Sequence, residues 1–166
     1  MQVLVMSDTH GDSQVIEKVR EFYPNAAAMI HCGDSELPFS HAALEGMQKV
    51  RGNCDRESAF PDEAFFDVDG VTFFVTHGHL FNVKSSILSL SYRAKEVGAQ
   101  IASFGHSHIL GAEMIDGILF INPGSLLKPR GRKEKSFAVI EIHDDQFRVD
   151  FLTDDNDKIS SHTFTR

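Results

Sequence analysis

Apolar and polar positions fall into short blocks along this 166-residue chain, and the spacing within each block predicts an element. Residues 3–6, VLVM, form an unbroken apolar run that reads as a buried strand. Asp12 or Ser13 is placed to cap a helix reaching Phe22, which sets Val15, Ile16 and Val19 on one face. Tyr23-Pro24-Asn25 ends it. Residues 27–31 read as a second strand, a short helix begins at Ser40 or His41 and carries Ala43, Leu44 and Met47, and residues 49–51 lead into Gly52-Asn53-Cys54-Asp55. This β-α-β-α-β order builds a parallel sheet with right-handed crossovers.

The second half changes period. Residues 64–68 and 71–76 flank Asp69-Gly70, the strongest short hairpin signal, so this pair is expected to be antiparallel. Ser85 or Ser86 opens a helix running to Val97, with Gly98 placed for a left-handed cap. A strand follows at 100–104. Residues 114–115 and 118–121 flank Asp116-Gly117, and residues 137–142 and 147–152 flank Asp144-Asp145, giving a meander. Residues 153–166 are polar and expected to be partly mobile, with Ile159 and Phe164 able to dock. A βαβ half followed by hairpins predicts an α/β fold: two mixed β-sheets flanked by helices, a four-layer α/β/β/α sandwich. No repeat, linker or composition shift divides it, so residues 1–166 are expected to form a single domain, within the usual 100 to 200 or so residues.

Composition narrows the class. Hydrophobic residues at 42% and charged residues at 24% are globular values, and no stretch approaches the roughly 20 apolar residues that span a bilayer. The start, MQVLVMSD, lacks the basic and long apolar regions of a secretory signal, which predicts a cytoplasmic protein. Cys32 and Cys54 are too few for a disulfide scaffold and form no CxxC zinc pair. The formal charge of −8 argues against a nucleic-acid partner, whose affinity rests on neutralising phosphates. It says less about a small phosphate ester, because bound divalent cations would add local positive charge.

The chemistry lies at the ends of the apolar runs. Asp8 and His10 follow VLVM, Asp34 follows AMIHCG, Asn53 follows KVRG, His77 follows FFVT, and His106 and His108 follow IASFG. Seven oxygen and nitrogen donors therefore sit past the carboxyl ends of five strands, the edge where open α/β sheets bind ligands. The two-residue spacing of Asp8 and His10, and of His106 and His108, lets both side chains of a pair point the same way in extended chain. Imidazole with carboxylate suits Mn, Fe, Co, Ni or Zn better than calcium or magnesium, and seven donors exceed one tetrahedral site. A two-metal hydrolytic centre follows.

The motifs SDTH, CGDS, RGNCD, THGH and GHSH, in that order from Asp8 to His108, resemble the signature of the calcineurin-like metallophosphoesterase superfamily. Asn122-Pro123-Gly124-Ser125 resembles a further segment of its small members. Within it the chain looks most like the compact YfcE-type phosphodiesterases, whose fold the retromer scaffold subunit shares. The resemblance implies that Asp8, His10 and His108 hold one metal, that Asn53, His77 and His106 hold the other, and that Asp34 bridges them. It implies Mn²⁺, with Ni²⁺, Fe²⁺, Co²⁺ or Zn²⁺ as alternatives, and attack on a small phosphate ester by a metal-activated hydroxide, more in the manner of a diesterase than a monoesterase. Asn53 could also approach the phosphate.

Larger members carry histidine where this chain has Cys54, a poorer general acid, so esters with poor leaving groups should be cleaved less well. His79 is the candidate for contacting phosphate or supporting a ligand and Asp55 for orienting the Asn53 loop, the alternative for each being a solvated loop residue. His31 reads as packed or hydrogen bonded, His41, His143 and His162 as exposed, and Cys32 as a small core filler. The cluster Lys128, Arg130, Arg132, Lys133 and Lys135 reads first as a solvated hairpin loop and second as an anion clamp. Two other readings stay open: a protein-binding scaffold of the same fold, and a nuclease. A homo-oligomer is compatible with the sequence.

Overall fold

The computed structural model describes all 166 residues. The elements run β1 (Gln2–Met6), α1 (Ser13–Phe22), β2 (Ala28–His31), β3 (Gln48–Lys49), β4 (Glu63–Val68), β5 (Val71–Thr76), α2 (Leu88–Glu96), β6 (Ile101–Ser103), β7 (Gly111–Ile115), β8 (Ile118–Asn122), β9 (Phe137–Ile142), β10 (Gln146–Leu152) and β11 (Lys158–Thr165). They form a six-stranded sheet in the order β11-β10-β9-β1-β2-β3 and a five-stranded sheet in the order β4-β5-β6-β8-β7. Both are mixed. β1, β2 and β3 are parallel while β9, β10 and β11 run antiparallel, and β5, β6 and β8 are parallel with β4 and β7 antiparallel at the edges.

Alternation along the strands assigns each side chain to a layer. Val3 and Val5 of β1 join Phe73, Val75, Ile121, Ile140 and Phe151 in the core between the sheets, while Leu4 and Met6 face Val15, Ile16 and Val19 of α1. On the second sheet, Phe74, Ala102 and Phe120 turn outward to Leu90 and Ala94 of α2. Three apolar layers therefore separate four layers of structure, the expected α/β/β/α sandwich. Phe73 is fully buried in the central layer, so truncating it to alanine is expected to cost about 3–5 kcal/mol.

The turns follow their sequence. Asp69 and Gly70 have φ of 50° and 79°, Asp116 and Gly117 repeat those values, and both pairs close hairpins with left-handed central residues. Asp12 caps α1 by accepting the Val15 amide at 3.1 Å, as its position predicted.

Three expectations need correction. The short helix after Ser40 is only one 3-10 turn, Ala42–Leu44, because Gly46 at φ 75° redirects the chain into β3. The second helix starts at Leu88, not Ser85 or Ser86; those two amides instead bond to Asn82 O in a preceding turn, and Ser86 Oγ accepts the Leu88 amide. Residues 158–165 are not loose: β11 pairs along β10, and Ile159 and Phe164 pack on the central core. Its exposed positions are polar because β11 is an edge strand, which hid it in the sequence.

Candidate metal centre

All seven donors lie in loops leaving the carboxyl ends of β1, β2, β3, β5 and β6, and three glycines let those loops converge. A β-carbon on Gly105 would overlap Ser7 and crowd Asp8 Oδ2, and one on Gly52 would overlap the Asp34 carboxylate. A β-carbon on Gly33, at φ 104°, would lie 2.8 Å from His77 Nδ1 and 2.9 Å from the Gly52 amide. Close approach, and not only turn freedom, explains the glycine before Asp34, Asn53 and His106. The donors themselves depart from the extended geometry expected of them. Asp8, His10, Asp34, His106 and His108 have φ of 55°, 44°, 56°, 71° and 62°, a left-handed conformation costing on the order of 1–2 kcal/mol per residue. Five such residues at one edge mark a place where backbone strain serves a site.

Two donor groups result, Asp8 with His10 and His108, and Asp34 with His77 and His106. Each carboxylate is pinned by one oxygen. Asp8 Oδ2 accepts Ser7 Oγ at 2.5 Å and the His106 amide at 3.1 Å, while Asp34 Oδ1 accepts the Cys54 amide at 2.8 Å. The other oxygens turn to the histidines. Asp8 Oδ1, buried and without a hydrogen-bond donor, lies 3.1 Å from His108 Nε2, 3.7 Å from His10 Nε2 and 3.8 Å from His77 Nε2. Asp34 Oδ2 lies 3.1 Å from His77 Nε2, which is also 3.1 Å from Asn53 Oδ1. His10 Nε2 and His108 Nε2 stand 3.3 Å apart.

The hydrogen bonds on the far side of each ring define what those nitrogens carry. His77 Nδ1 donates to Cys32 O at 2.8 Å, His108 Nδ1 to Lys128 O at 2.7 Å, and His10 Nδ1 to Glu36 Oε1 at 2.6 Å. In the neutral rings Nε2 then holds a lone pair, and three such lone pairs face carboxylate oxygens or each other. Acceptors opposed to acceptors call for a cation or a proton between them. Titration reflects the same demand. Burial disfavours charge on both, yet Asp34 and Asp8 hold the His77 pKa above its usual value, and His108, His77 and Ser7 hold Asp8 below its own. The Asp8 carboxylate, 3.1 Å from its ring, raises His108. His106 differs, because burial, then His77 and Lys84, hold it down to about 4 and keep its imidazole neutral near neutrality. Mixed nitrogen and oxygen donors with a carboxylate in each group fit divalent transition ions.

A surrounding shell fixes the donors. Asp55, buried, accepts the amides of Asp34 at 2.8 Å and Gly52 at 2.7 Å on Oδ2 and that of Glu36 at 2.9 Å on Oδ1. These bonds tie the loop bearing Asn53 to the loop bearing Asp34. Ser125 Oγ donates to Asp8 O at 2.7 Å, and Asn122 Nδ2 donates to Gly105 O at 3.2 Å and Ser107 Oγ at 2.9 Å, so the Asn122–Ser125 segment braces both histidine-bearing loops. Ser7 and Ser125 lie inside the SDTH and Asn122-Pro123-Gly124-Ser125 motifs but had no role assigned from sequence, and Glu36, next to CGDS, was not singled out.

The remaining candidates fall as follows. Asn53 and Cys54 are exposed, and burial, with Asp34 next, raises the Cys54 thiol to about 11. His79 sits half-buried with its ring centroid 5.4 Å from that of His77 and 6.1 Å from that of His106, and its Nδ1 is unpartnered. His31 is fully packed between Thr9 and Gly33, Cys32 is core, and His41 is half-buried and caps the 3-10 turn. His143 and His162 are exposed. No helix is long and apolar enough to cross a membrane.

Comparison with known proteins agrees with the motifs. The chain is 43% identical over 152 residues to the probable metallophosphoesterase YsnB of Bacillus subtilis, covering 91% of this chain and 90% of that one. It is 27% identical to the phosphodiesterase YfcE of Escherichia coli, covering 85% and 88%. Its structure superimposes on that of a conserved predicted phosphoesterase from Streptococcus pneumoniae TIGR4 with a TM-score of 0.96 at 40% identity, covering 99% and 97%. The calcineurin-like phosphoesterase superfamily domain matches residues 1–145, and the chain belongs to that superfamily.

Proposed function

We propose that this metal-dependent phosphoric ester hydrolase is a binuclear phosphodiesterase acting on a small phosphate ester. The observation that carries the reading is the pair of abutting donor groups whose carboxylate oxygens and imidazole nitrogens converge on one another. Asp8, His10 and His108 would hold one ion, Asn53, His77 and His106 the second, with Asp34 shared. Two divalent ions, Mn²⁺ first among them, would lower the pKa of water toward neutrality and offset charge on the phosphoryl oxygens.

The chain's own residues do the rest. Backbone amides and carbonyls lock the carboxylates and rings in place, so little reorganisation is needed when substrate arrives. The exposed Asn53 amide group can donate to a phosphoryl oxygen. So can the His79 ring, which burial and His77 keep neutral. Cys54 stands where a proton donor for the leaving oxygen would be useful, but a thiol near 11 is a weak acid, so leaving groups that depart as stable anions are favoured.

The reading takes residues 1–166 as one metallophosphoesterase domain, cytoplasmic, with a small ester and not a nucleic acid as substrate. Hydrolysis of bis-nitrophenyl phosphate should vanish on chelation and return with Mn²⁺, with two ions bound per chain, and Asp34→Ala or His77→Ala should abolish it. Absence of turnover at full metal occupancy would favour the scaffold. A stoichiometry of one ion would refute the binuclear centre.

A further inference from the structure

Beside the metal centre, a cavity of about 590 Å³ opens on the outer face of the five-stranded sheet, within the roughly 300–1,000 Å³ range of small-molecule sites. Phe104, Phe120, Val83 and Ile87 line it, together with Leu110 and Ile109, the last 53% exposed despite its apolar side chain. Its remaining charges are Lys84, Arg130 and the single carboxylate of Glu113.

The cavity adjoins the loop that carries His106 and His108. Ser107, between His106 and His108, lines it, and so does Asn122, which binds Ser107 Oγ. The two cations line the same cavity. The Arg130 amide donates to His108 O at 3.0 Å, and Lys84 lines the wall beside Val83 and Ile87. The sequence also leaves the space open. Gly111, on β7 opposite Asn122 of β8, borders it, and a β-carbon there would meet no atom within 4 Å. An apolar wall next to a cationic rim, itself next to phosphate chemistry, matches one kind of molecule: an ester carrying an anionic phosphate and an apolar organic group.

We propose that this cavity is the subsite for an aryl or alkyl substituent of the phosphodiester, with Lys84 and Arg130 at its anionic end. The assignment rests on the phosphodiesterase reading above. It predicts that the Mn²⁺-loaded enzyme prefers 1-naphthyl 4-nitrophenyl phosphate over methyl 4-nitrophenyl phosphate by about tenfold or more in kcat/KM, since the naphthyl group removes far more apolar surface from water.

Gly111→Phe, which fills the cavity from its wall, should lower that ratio at least tenfold, chiefly through KM for the naphthyl ester. A ratio unchanged by Gly111→Phe, or near unity in the wild type, overturns the proposal. A binding measurement separates this from failure of the hydrolytic reading. Metal-free protein titrated with 1-naphthyl phosphate should bind it, with affinity at least tenfold weaker in Gly111→Phe and in the Lys84→Ala/Arg130→Ala double variant. Equal binding by all three proteins refutes the subsite whether or not either ester is hydrolysed.

Discussion

Gly52 and Asp34 present their amides to the same oxygen of Asp55, at 2.7 and 2.8 Å, and a β-carbon on Gly52 would overlap the Asp34 carboxylate. The loop bearing Asn53 is therefore docked directly on the carboxylate that the proposed centre shares. Gly52→Ala should push Asp34 or Asn53 out of place and, because a displacement near 1 Å can cost about 100-fold in rate, lower kcat/KM for bis-nitrophenyl phosphate by about that factor. Full activity in this variant, at equal metal loading, would show that the contact is tolerant and the donor geometry loose.

Asp55 is buried and spends both carboxylate oxygens on backbone amides, so its removal should act through position. Asp55→Ala strands the Asp34 and Gly52 amides inside the protein, and buried unsatisfied donors cost about 1–3 kcal/mol each. Urea denaturation should show roughly 2–6 kcal/mol less stability in the metal-free protein, with weaker metal affinity on titration. Lost turnover without any change in stability or metal affinity would instead place Asp55 among the reacting groups.

How much of this was legible in the sequence depends on range. Buried strands showed as apolar runs, the Asp69-Gly70 and Asp116-Gly117 turns as local chemistry, and the donors as polar residues following those runs. The left-handed φ of Asp8, His10, Asp34, His106 and His108 did not show. It is imposed by loops meeting across two sheets, which local two-residue spacing cannot encode. The β11 strand was hidden for a related reason: on an edge, the polar residues of KISSHTFT are compatible with pairing but do not announce it. Ser7 and Ser125 are ordinary residues until the fold brings their hydroxyls to Asp8.

Opposed acceptors make the metal-free centre a liability that a cation removes. At free Mn²⁺ near 100 times its Kd, linkage gives about 2.7 kcal/mol of stabilisation per independent site, hence a rise of roughly 5–10 °C in Tm for a chain of this size. Asp8→Asn should erase most of that rise without lowering the metal-free Tm at pH 8, because the amide can give a hydrogen to His108 Nε2 where the carboxylate oxygen had no partner. Differential scanning calorimetry in chelator and in Mn²⁺ checks both halves. An undiminished metal response in Asp8→Asn would remove Asp8 from the donor set.

Cys54 lies beside Asn53, exposed, on the wall of a smaller cavity of about 290 Å³ that also holds Glu36 and Arg56. With its thiol near 11 it lends little acid assistance to a departing alkoxide, whereas nitrophenolate needs little. Cys54→His should therefore raise turnover of alkyl esters selectively, by about 10-fold or more if the imidazole reaches the leaving oxygen. Equal effects on nitrophenyl and alkyl esters would sink the idea.

Acid stability offers a separate test through His31, which is wholly buried beneath the Asp8 loop. Its Nδ1 accepts the Gly33 amide at 3.1 Å, so the proton resides on Nε2, facing Thr9 Oγ1 at 3.0 Å. A second proton would sit against the Gly33 N–H. Burial accordingly holds its pKa down to about 4, against 6.5 for an exposed ring. Between those values the unfolded chain binds a proton that the folded chain refuses, so stability is complete above pH 6.5 and falls as pH drops toward 4. The shift corresponds to about 3 kcal/mol at most. His31→Asn keeps an acceptor for Gly33 but cannot titrate; below pH 4 the native ring is also charged and the difference stops growing. Urea denaturation of chelated protein at pH 7, 5.5 and 4.5 should show wild type losing stability faster than His31→Asn across that window. Parallel losses in the two proteins would mean that His31 takes up its proton in the folded state as readily as in the unfolded one.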